Sequence, residues 1–571
     1  MAPIFLDITI ITGLAAFFSI IFRILRQPAI LAYILTGIIL GPLAIGRINN
    51  PEVVRSLSEI GLTLLLFMVG LELKLSELKV VGKVAFITGV GQIVFTSIIG
   101  FFISLMLGFD VIASVYISIA LTFSSTIIIV KLLSDKRDLK SLYGKISVGF
   151  LLVQDFVAIL ALIFLSGFNT GSISIDPGEF VLVIIKGILL FAGVIYLSKA
   201  ILPKIVENIP HSSETLLLFS LAWAFAISLL VSSPLVGFSI EIGGFLAGLA
   251  LANSVESFQI VARVKSLRDF FIILFFVSLG TGLVLANFSQ ILIPAIIFSA
   301  FILIGNPLIV MIIIGALGYK KRIGFLAGLT VAQISEFSLI LIFLGNKLGH
   351  LSDEVVSLVT LVGIITFTIS SYMILNGNYL YKYLSPYLNI FERKKLGGDH
   401  VISGDGFDDL KNHVVLIGGD QMGQSILSAL EDMDIDVVVV DFDPEILKKL
   451  ENLSSGKTGK KAHRLFGDIS DLDIQERAKL DSAKLVISTN PDLEDNLLVL
   501  KELRHENRSA KVVVMAFDAS EAKILYKEGA DYVVLPHLAG GRQIAKLIEE
   551  NHLDKIEALK NKDMKFLDLA V

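Results

Sequence analysis

The residue best placed to do chemistry is Asp155, an acid within a long apolar stretch. It follows Gln154 and lies near the middle of a predicted membrane span over residues 143–167. Isolated charges at membrane depth are costly and commonly mark ion pathways. A carboxylate there can bind a proton or coordinate a dehydrated monovalent cation, and competition between these two ligands is the minimum requirement for exchange. We therefore predict that Asp155 carries the proton or the cation; the alternative is a structural Asp bonded to a neighbouring helix.

Two polar patches interrupt other apolar stretches and offer neutral oxygen or amide contacts. Ser124, Ser125 and Thr126 can satisfy the backbone of an unwound segment at membrane depth, although hydroxyls can also bond back within a continuous helix. The second patch contains Gln333 and Glu336. Corresponding interrupted segments in two halves of a chain are typical of inverted-repeat transporters, with the ion site where they cross. We predict that the two patches cross beside Asp155. The alternative for Glu336 is a structural role, in which its carboxylate neutralises the dipole ends of helices.

Two further positions are weaker candidates. Asn306 precedes Pro307 within an apolar stretch, where proline should kink a helix and free a carbonyl group. Glu241 begins another apolar stretch on the predicted outer side. It is expected either to line an outer vestibule or to be solvated at a helix end.

Composition divides the chain into two parts. Hydrophobic residues make up 54% of it and charged residues 18%, against about a quarter charged in soluble proteins. Asp110 is the single charged residue between Val84 and Val130, whereas charges recur every few residues after Phe391. We predict a transmembrane exchanger domain over 1–385, a linker over 386–410, a cytoplasmic domain over 411–550 and a tail over 551–571. The absence of cysteine from the sequence excludes disulfides and thiol chemistry.

The apolar part is predicted to form a polytopic α-helical membrane protein. A span needs about 20 apolar residues, and this criterion predicts 13 transmembrane helices. The predicted spans cover residues 4–22, 28–45, 57–73, 84–108, 111–133, 143–167, 178–201, 213–232, 237–254, 266–284, 288–317, 322–346 and 353–378.

Basic residues predict the orientation of these spans. Lys and Arg concentrate in every second loop, as in Lys131–Lys145 after the fifth span. The opposite loops hold only Arg47, Arg55 and Lys347. Because cytoplasmic loops carry the excess of basic residues, we expect the N-terminus outside and the C-terminal domain in the cytoplasm. Nothing in the sequence suggests nucleic-acid binding.

The charged C-terminal part is predicted to be a Rossmann-like α/β domain. Strand-like runs alternate with helical stretches, which indicates a doubly wound parallel sheet. A glycine-containing loop follows the first strand and an acid ends the second, an arrangement that suits phosphate and ribose hydroxyls respectively. The candidate cofactor-binding residues are Gly418, Gly419, Asp420, Gln421, Met422, Gly423, Asp441, Asp468 and Thr489.

One position of that loop departs from the dinucleotide-binding pattern. Asp420 occupies the place of the second glycine, and it adds a side chain and a negative charge toward the expected phosphate. The alternative is a sheet domain that binds a protein or nothing. The histidines have no evident nucleophile or acid partner, so we predict a regulator and not an enzyme.

Taken together, the motifs resemble those of the monovalent cation:proton antiporter-2 superfamily, and most closely its Kef-type potassium/proton antiporters. The C-terminal part resembles the potassium-transport nucleotide-binding domain, also called the N-lobe of the regulator of potassium conductance. The motifs that carry the resemblance are Phe67–Leu73, Ser124–Thr126, Gln154-Asp155, Gly243–Gly248 and Ser335–Phe337.

The resemblance implies an elevator transporter of the inner membrane that forms a homodimer. Its crossed broken helices would place the ion site beside Asp155. Sodium-exchanging relatives carry two aspartates where this chain has Gln154-Asp155, and electrogenic relatives carry a lysine near the position of Asn306. One titratable carrier and electroneutral exchange are therefore expected. The family also implies AMP or another adenine nucleotide, or NAD(H), as regulatory ligand, and an ancillary regulatory subunit. Asp420 and Gln421 replace the usual glycine and basic residue, which disfavours multiply phosphorylated ligands.

The sequence thus predicts exchange of potassium for protons under nucleotide control. A sodium/proton antiporter is the alternative within the class. A ligand-gated potassium channel would need a selectivity filter such as Gly-Tyr-Gly, which the sequence lacks. A membrane-anchored dehydrogenase would not need so many spans.

Overall fold

The computed structural model forms two compact units, Met1–Arg393 and Lys394–Val571. It describes residues 2–41, 50–72, 82–136, 138–166, parts of 185–202, 213–233, most of 236–283, 288–391 and most of 410–549. The first unit contains the apolar part of the chain, and the second contains the charged part.

Every regular secondary-structure element in the described segments of the first unit is a helix. Its helices are α1 (Ala2–Ile24), α2 (Ala29–Leu40), α3 (Pro51–Glu72), α4 (Lys83–Met106), α5 (Val111–Ala120), α6 (Thr126–Asp135), α7 (Leu142–Ser166), α8 (Ser213–Val231), α9 (Ile240–Leu251), α10 (Ser257–Thr281), α11 (Phe288–Ala300), α12 (Asn306–Ala316), α13 (Lys321–Leu329), α14 (Glu336–Lys347), α15 (Asp353–Leu375) and α16 (Gly377–Leu384). Part of 185–198 is also helical.

Both predicted interruptions are present as breaks between short helices. The break between α5 and α6 covers residues 121–125, and the break between α13 and α14 covers 330–335. Ser125 caps α6, since its hydroxyl accepts a hydrogen bond from the backbone of Ile128 at 3.3 Å. Ser335 caps α14 in a capping box with Ser338. These caps satisfy N–H groups that neither the helix nor lipid could satisfy.

Seven described helices are long and apolar enough to cross a membrane. They include α1, α3, α4, α7 and α15. The broken segments fail that criterion because each half is short. Residues 42–49, 73–81, 167–184 and 203–212 lie outside the described part of the chain. The count of 13 spans and the inverted repeats accordingly stay predictions.

The second unit is the predicted doubly wound domain. Its strands are β1 (Val414–Ile417), β2 (Val437–Asp441), β3 (Ala462–Phe466), β4 (Leu485–Ser488), β5 (Lys511–Met515) and β6 (Tyr532–Val534). They form one parallel sheet in the order β3-β2-β1-β4-β5-β6. The helices are α17 (Gln421–Glu431), α18 (Leu472–Arg477), α19 (Leu493–Glu506), α20 (Ala519–Lys527) and α21 (Pro536–Glu549).

Strand order and burial together explain why this unit folds as a Rossmann-like sheet. The central strands β1 and β2 are fully buried runs of aliphatic residues, as expected for a parallel sheet covered on both faces. Separate apolar clusters cover the two faces. The order is that of the dinucleotide-binding fold, in which ligands bind where the strand order reverses, between β1 and β4.

Candidate ion site and candidate ligand site

The two helix breaks of the membrane unit contact each other directly. The hydroxyl of Ser124 donates to the carbonyl of Val331 at 3.5 Å, and the hydroxyl of Ser338 donates to the carbonyl of Ala120 at 2.6 Å. Each bond links one broken segment to the other. Backbone carbonyls left free by unwinding are therefore satisfied by side chains of the opposite break.

Asp155 lies beside this crossing, on α7. The hydroxyl of Thr126 donates to Oδ2 of Asp155 at 2.8 Å. Thr126 is the first residue of α6, so the carboxylate lies close to a helix N-terminus, where the dipole favours negative charge. Asp155 is half-buried, unlike its fully buried neighbour Gln154. The arrangement therefore leaves Asp155 as the accessible acid beside the break.

Gln154 is held within a network of amides instead of facing Asp155. Its Oε1 accepts from the backbone N–H of Ser124 at 3.1 Å, and its Nε2 donates to Oε1 of Gln92 at 2.7 Å. Gln92 in turn donates to the carbonyl of Thr122 at 3.1 Å and to the hydroxyl of Thr96 at 3.1 Å. The amide of Gln154 thus fixes α7 to the first break and to α4.

Asn306 bridges both breaks. Its Nδ2 donates to the carbonyl of Leu121 at 3.3 Å and to that of Val331 at 3.5 Å. Its Oδ1 accepts from the hydroxyl of Thr96 at 2.8 Å. A π-helical turn, Phe301–Gly305, precedes it, as expected where a proline removes a backbone donor. The geometry gives Asn306 a positioning role, and its amide contacts the backbone on either side of the crossing.

Gln333 and Glu336 divide between two environments. Oε1 of Gln333 accepts from the hydroxyl of Ser370 on α15 at 2.6 Å, so this bond attaches the second break to α15. Glu336 begins α14, is 5% exposed, and lies 3.5 Å from the hydroxyl of Ser335.

Sequence reasoning missed three residues of this network. They are Gln92, Thr96 and Ser370. A signal was available for the first two, because an amide and a hydroxyl four residues apart lie on one face of an otherwise apolar helix. No comparable signal marks Ser370, since a single hydroxyl in a membrane helix commonly bonds within its own helix.

An ion cluster joins α14 to α3 and α9. Nζ of Lys347 lies 3.0 Å from Oε1 of Glu59 and 3.1 Å from Oε1 of Glu241. Glu241 is 1% exposed, whereas Lys347 and Glu59 are partly exposed. The expectation of a vestibule residue or a solvated helix end is therefore wrong: small residues pack α9 so closely against α3 that the Glu241 side chain is enclosed.

We expect the substitution Lys347→Met to destabilise the membrane unit by roughly 1–3 kcal/mol. Removing one partner of a buried pair leaves an uncompensated charge, which costs about 3–5 kcal/mol, but Lys347 is 29% exposed and solvent screens part of that effect. The double substitution with Glu241→Gln should recover most of the loss. Unfolding in detergent measures both, and equal losses in the single and double variants would contradict the pairing.

The glycine loop of the second unit has the geometry of a tight strand-to-helix turn. Gly418 has φ +89°, and a Cβ on Gly423 would lie 2.1 Å from the carbonyl oxygen of Gly418. Both positions therefore require glycine. The backbone N–H of Gly419 donates to Oδ2 of Asp441 at 2.7 Å, so the acid that ends β2 faces the loop as predicted.

Asp420 lies at the N-cap of α17. Its Oδ1 accepts from the backbone N–H of Gly423 at 3.3 Å and from the hydroxyl of Thr489 at 3.4 Å. Gln421 is exposed and Met422 half-buried at the start of that helix. Asp468 lies outside the described residues. The structure thus brings together most of the predicted ligand-site residues, with a carboxylate at the place expected for phosphate.

Comparisons with known proteins agree with this architecture. The family model described as sodium/hydrogen exchanger, transmembrane, matches residues 12–375, and that of the TrkA-N domain matches 414–536. The putative cation/proton antiporter YbaL of Escherichia coli is 26% identical over 95% of this chain and 96% of its own length. The putative K(+) efflux antiporter KefB of Alkalimonas amylolytica is 22% identical over 97% of this chain and 85% of its own.

Among solved structures, the sodium proton antiporter MjNhaP1 from Methanocaldococcus jannaschii is similar at a TM-score of 0.46. It is 19% identical, and the match covers 67% of this chain and 97% of that one. The first family model covers more than half of the chain, which confirms the resemblance drawn from the motifs. The chain therefore belongs to the sodium/hydrogen exchanger family of cation/proton antiporters, and its C-terminal part is a TrkA-N domain.

Proposed function

We propose that this protein exchanges potassium for protons, with Asp155 as the carrier of either ion. The observation that carries the proposal is the placement of a half-buried carboxylate beside two crossed helix breaks. Hydroxyls of Ser125 and Thr126 and carbonyls of the breaks are hard neutral ligands, which suit an alkali cation. Similarity to a putative K(+) efflux antiporter favours potassium over sodium.

Exchange is proposed to be electroneutral, one proton for one cation. Among the described residues, the side chain of Asp155 accepts a hydrogen bond from Thr126, and the neighbouring position holds the neutral Gln154. Glu336 is the other acid nearby. It is the first residue of α14 and lies 3.5 Å from the hydroxyl of Ser335, which caps that helix. A carboxylate at a helix N-terminus is stabilised by the helix dipole, which favours a structural role for Glu336 and leaves Asp155 as the one carrier.

The wider mechanism follows from the same proposal. An elevator movement of the crossed helices would expose Asp155 alternately to the two sides of the inner membrane, with the N-terminus outside. The protein would act as a homodimer in the bilayer. The second unit would be a cytoplasmic regulatory domain, bounded at 411–550, with a linker over 386–410 and a tail over 551–571. Its candidate ligands are AMP, another adenine nucleotide or NAD(H), and an ancillary subunit would assist it.

Ion flux in proteoliposomes tests the proposal. With a pH-sensitive dye inside, an external potassium pulse should move protons without an added voltage shunt, and sodium should give a smaller response. A dependence of the rate on membrane potential would contradict electroneutrality. A larger sodium response would favour the sodium/proton alternative, and proton movement that requires an uncoupler would indicate a channel.

A further inference from the structure

We infer that Asp420 supplies a built-in anion to the glycine loop and makes the cytoplasmic domain reject ligands that place phosphate there. This inference rests on the proposed role of that domain as a ligand-binding regulator. Among the ligands considered for this domain, it disfavours those that place a phosphate at the loop, such as AMP and NAD(H), and favours a nucleoside-like compound.

The hydrogen-bond donors that a phosphate would need at the glycine loop are already used by carboxylates of the protein. At the start of a helix such as α17, free backbone N–H groups and the helix dipole attract an anion. Here Oδ1 of Asp420 already accepts from the N–H of Gly423 at 3.3 Å. Gly419, the other loop glycine with an inward N–H, donates to Asp441 at 2.7 Å. Two donors of the loop are therefore satisfied by carboxylates of the chain itself.

Asp420 also lies at the crevice where a ligand would bind. In this fold, ligands bind at the carboxyl ends of the strands, between β1 and β4 where the order reverses. Asp420 follows β1 and Thr489 follows β4. The hydroxyl oxygen of Thr489 lies 3.4 Å from Oδ1 of Asp420 and 3.1 Å from the carbonyl oxygen of Ile417 at the end of β1, so Thr489 and Asp420 meet across the crevice. A phosphate would have to displace this contact and lie beside a like charge.

The part of the site that would bind a ribose is still present. Asp441 lies at the end of β2, the position that binds ribose hydroxyls in this fold, and it is 7% exposed. Glycines at 418 and 423 keep the backbone turn that a ribose-bearing ligand requires. Recognition of a ribose is thus retained while the phosphate subsite is filled.

The test is equilibrium dialysis of the full-length protein with labelled adenosine, AMP and NAD. Wild-type protein should bind AMP and NAD no more tightly than adenosine. Asp420→Gly should gain at least about tenfold in affinity for AMP, the effect of one regained charge-assisted hydrogen bond, with adenosine affinity unchanged. Asp420→Asn keeps a good helix cap and removes only the charge, so it should gain in the same direction even if the glycine variant folds poorly.

A matched control is Asp518→Gly. Asp518 caps α20 of the same domain, accepting from the N–H groups of Ser520 at 2.9 Å and Glu521 at 3.1 Å, and it should not change AMP binding. Wild-type affinity for AMP equal to that of both Asp420 variants would overturn the inference. Antiport by Asp420→Gly is measured in parallel without ligand. Ligand binding tests this inference and ion flux tests the transport proposal, so the failure of one can be told from the failure of the other.

Discussion

Replacing Asp155 with Asn is expected to reduce exchange to the level of protein-free liposomes. The substitution keeps the shape of the side chain, and Thr126 could still donate its hydroxyl to the new Oδ1, as it does to Asp155 at 2.8 Å. What is lost is the negative charge, and with it the ability to take up a proton or to balance a bound cation. The fold should persist, because Asp155 is half-buried and its neighbour Gln154 supplies the contacts to α4 and the first break.

The matched control for this experiment is Asp110→Asn. Asp110 is an exposed acid at the N-cap of α5, where its carboxylate faces the N–H of Ala113 at 3.5 Å. Asn caps helices about as well as Asp, so this variant should exchange ions at the wild-type rate. Potassium-driven proton movement in proteoliposomes measures both variants. If Asp155→Asn still exchanged ions under conditions in which the wild-type protein is active, the proposed carrier role of Asp155 would be contradicted.

Asp155 and Gln154 show which features of the membrane unit can be predicted from the sequence and which cannot. An acid in an apolar stretch is visible from composition, and both helix breaks follow from clustered hydroxyls and capping residues. Partners across helices are not visible, because any of several helices can lie beside a given polar residue. The sequence predicts Gln154 as an ion contact, and that role stays a prediction; the bonds of its amide to Ser124 and Gln92 could be found only from the structure.

The C-terminal domain is easier to predict than the membrane unit, for a physical reason. A parallel sheet buried on both faces requires continuous aliphatic strands, and these appear in the sequence as 414–417 and 437–440. The tight turn requires Gly418 and Gly423. The sequence also showed the charge of Asp420. It could not show the contact of that carboxylate with Thr489, which depends on the adjacency of two strands that are distant in the chain.

Asn306→Ala is expected to lower the free energy of unfolding of the membrane unit by about 1–3 kcal/mol and to impair exchange. The change removes the amide that contacts the hydroxyl of Thr96 and the carbonyls of Leu121 and Val331. Thr96 keeps its bond from Gln92, and the carbonyl of Val331 keeps its bond from Ser124. The carbonyl of Leu121 loses the bond that Asn306 gives it, and a buried polar group left without a partner costs about 1–3 kcal/mol.

The position of Asn306 gives this variant a functional consequence that stability alone would not. Its amide holds the end of one break against the other, and Asp155 is bonded to the helix that begins after the first break. Asn376→Ala is the control, because Asn376 is exposed and its amide donates only to the carbonyl of Tyr372, at 2.9 Å. Unfolding in detergent and potassium-driven exchange should both fall for Asn306→Ala and stay near wild type for the control. Unchanged exchange in a destabilised Asn306 variant would contradict this role. The two breaks would then keep their relative position without the Asn306 amide, through the bonds of Ser124 to Val331 and of Ser338 to Ala120.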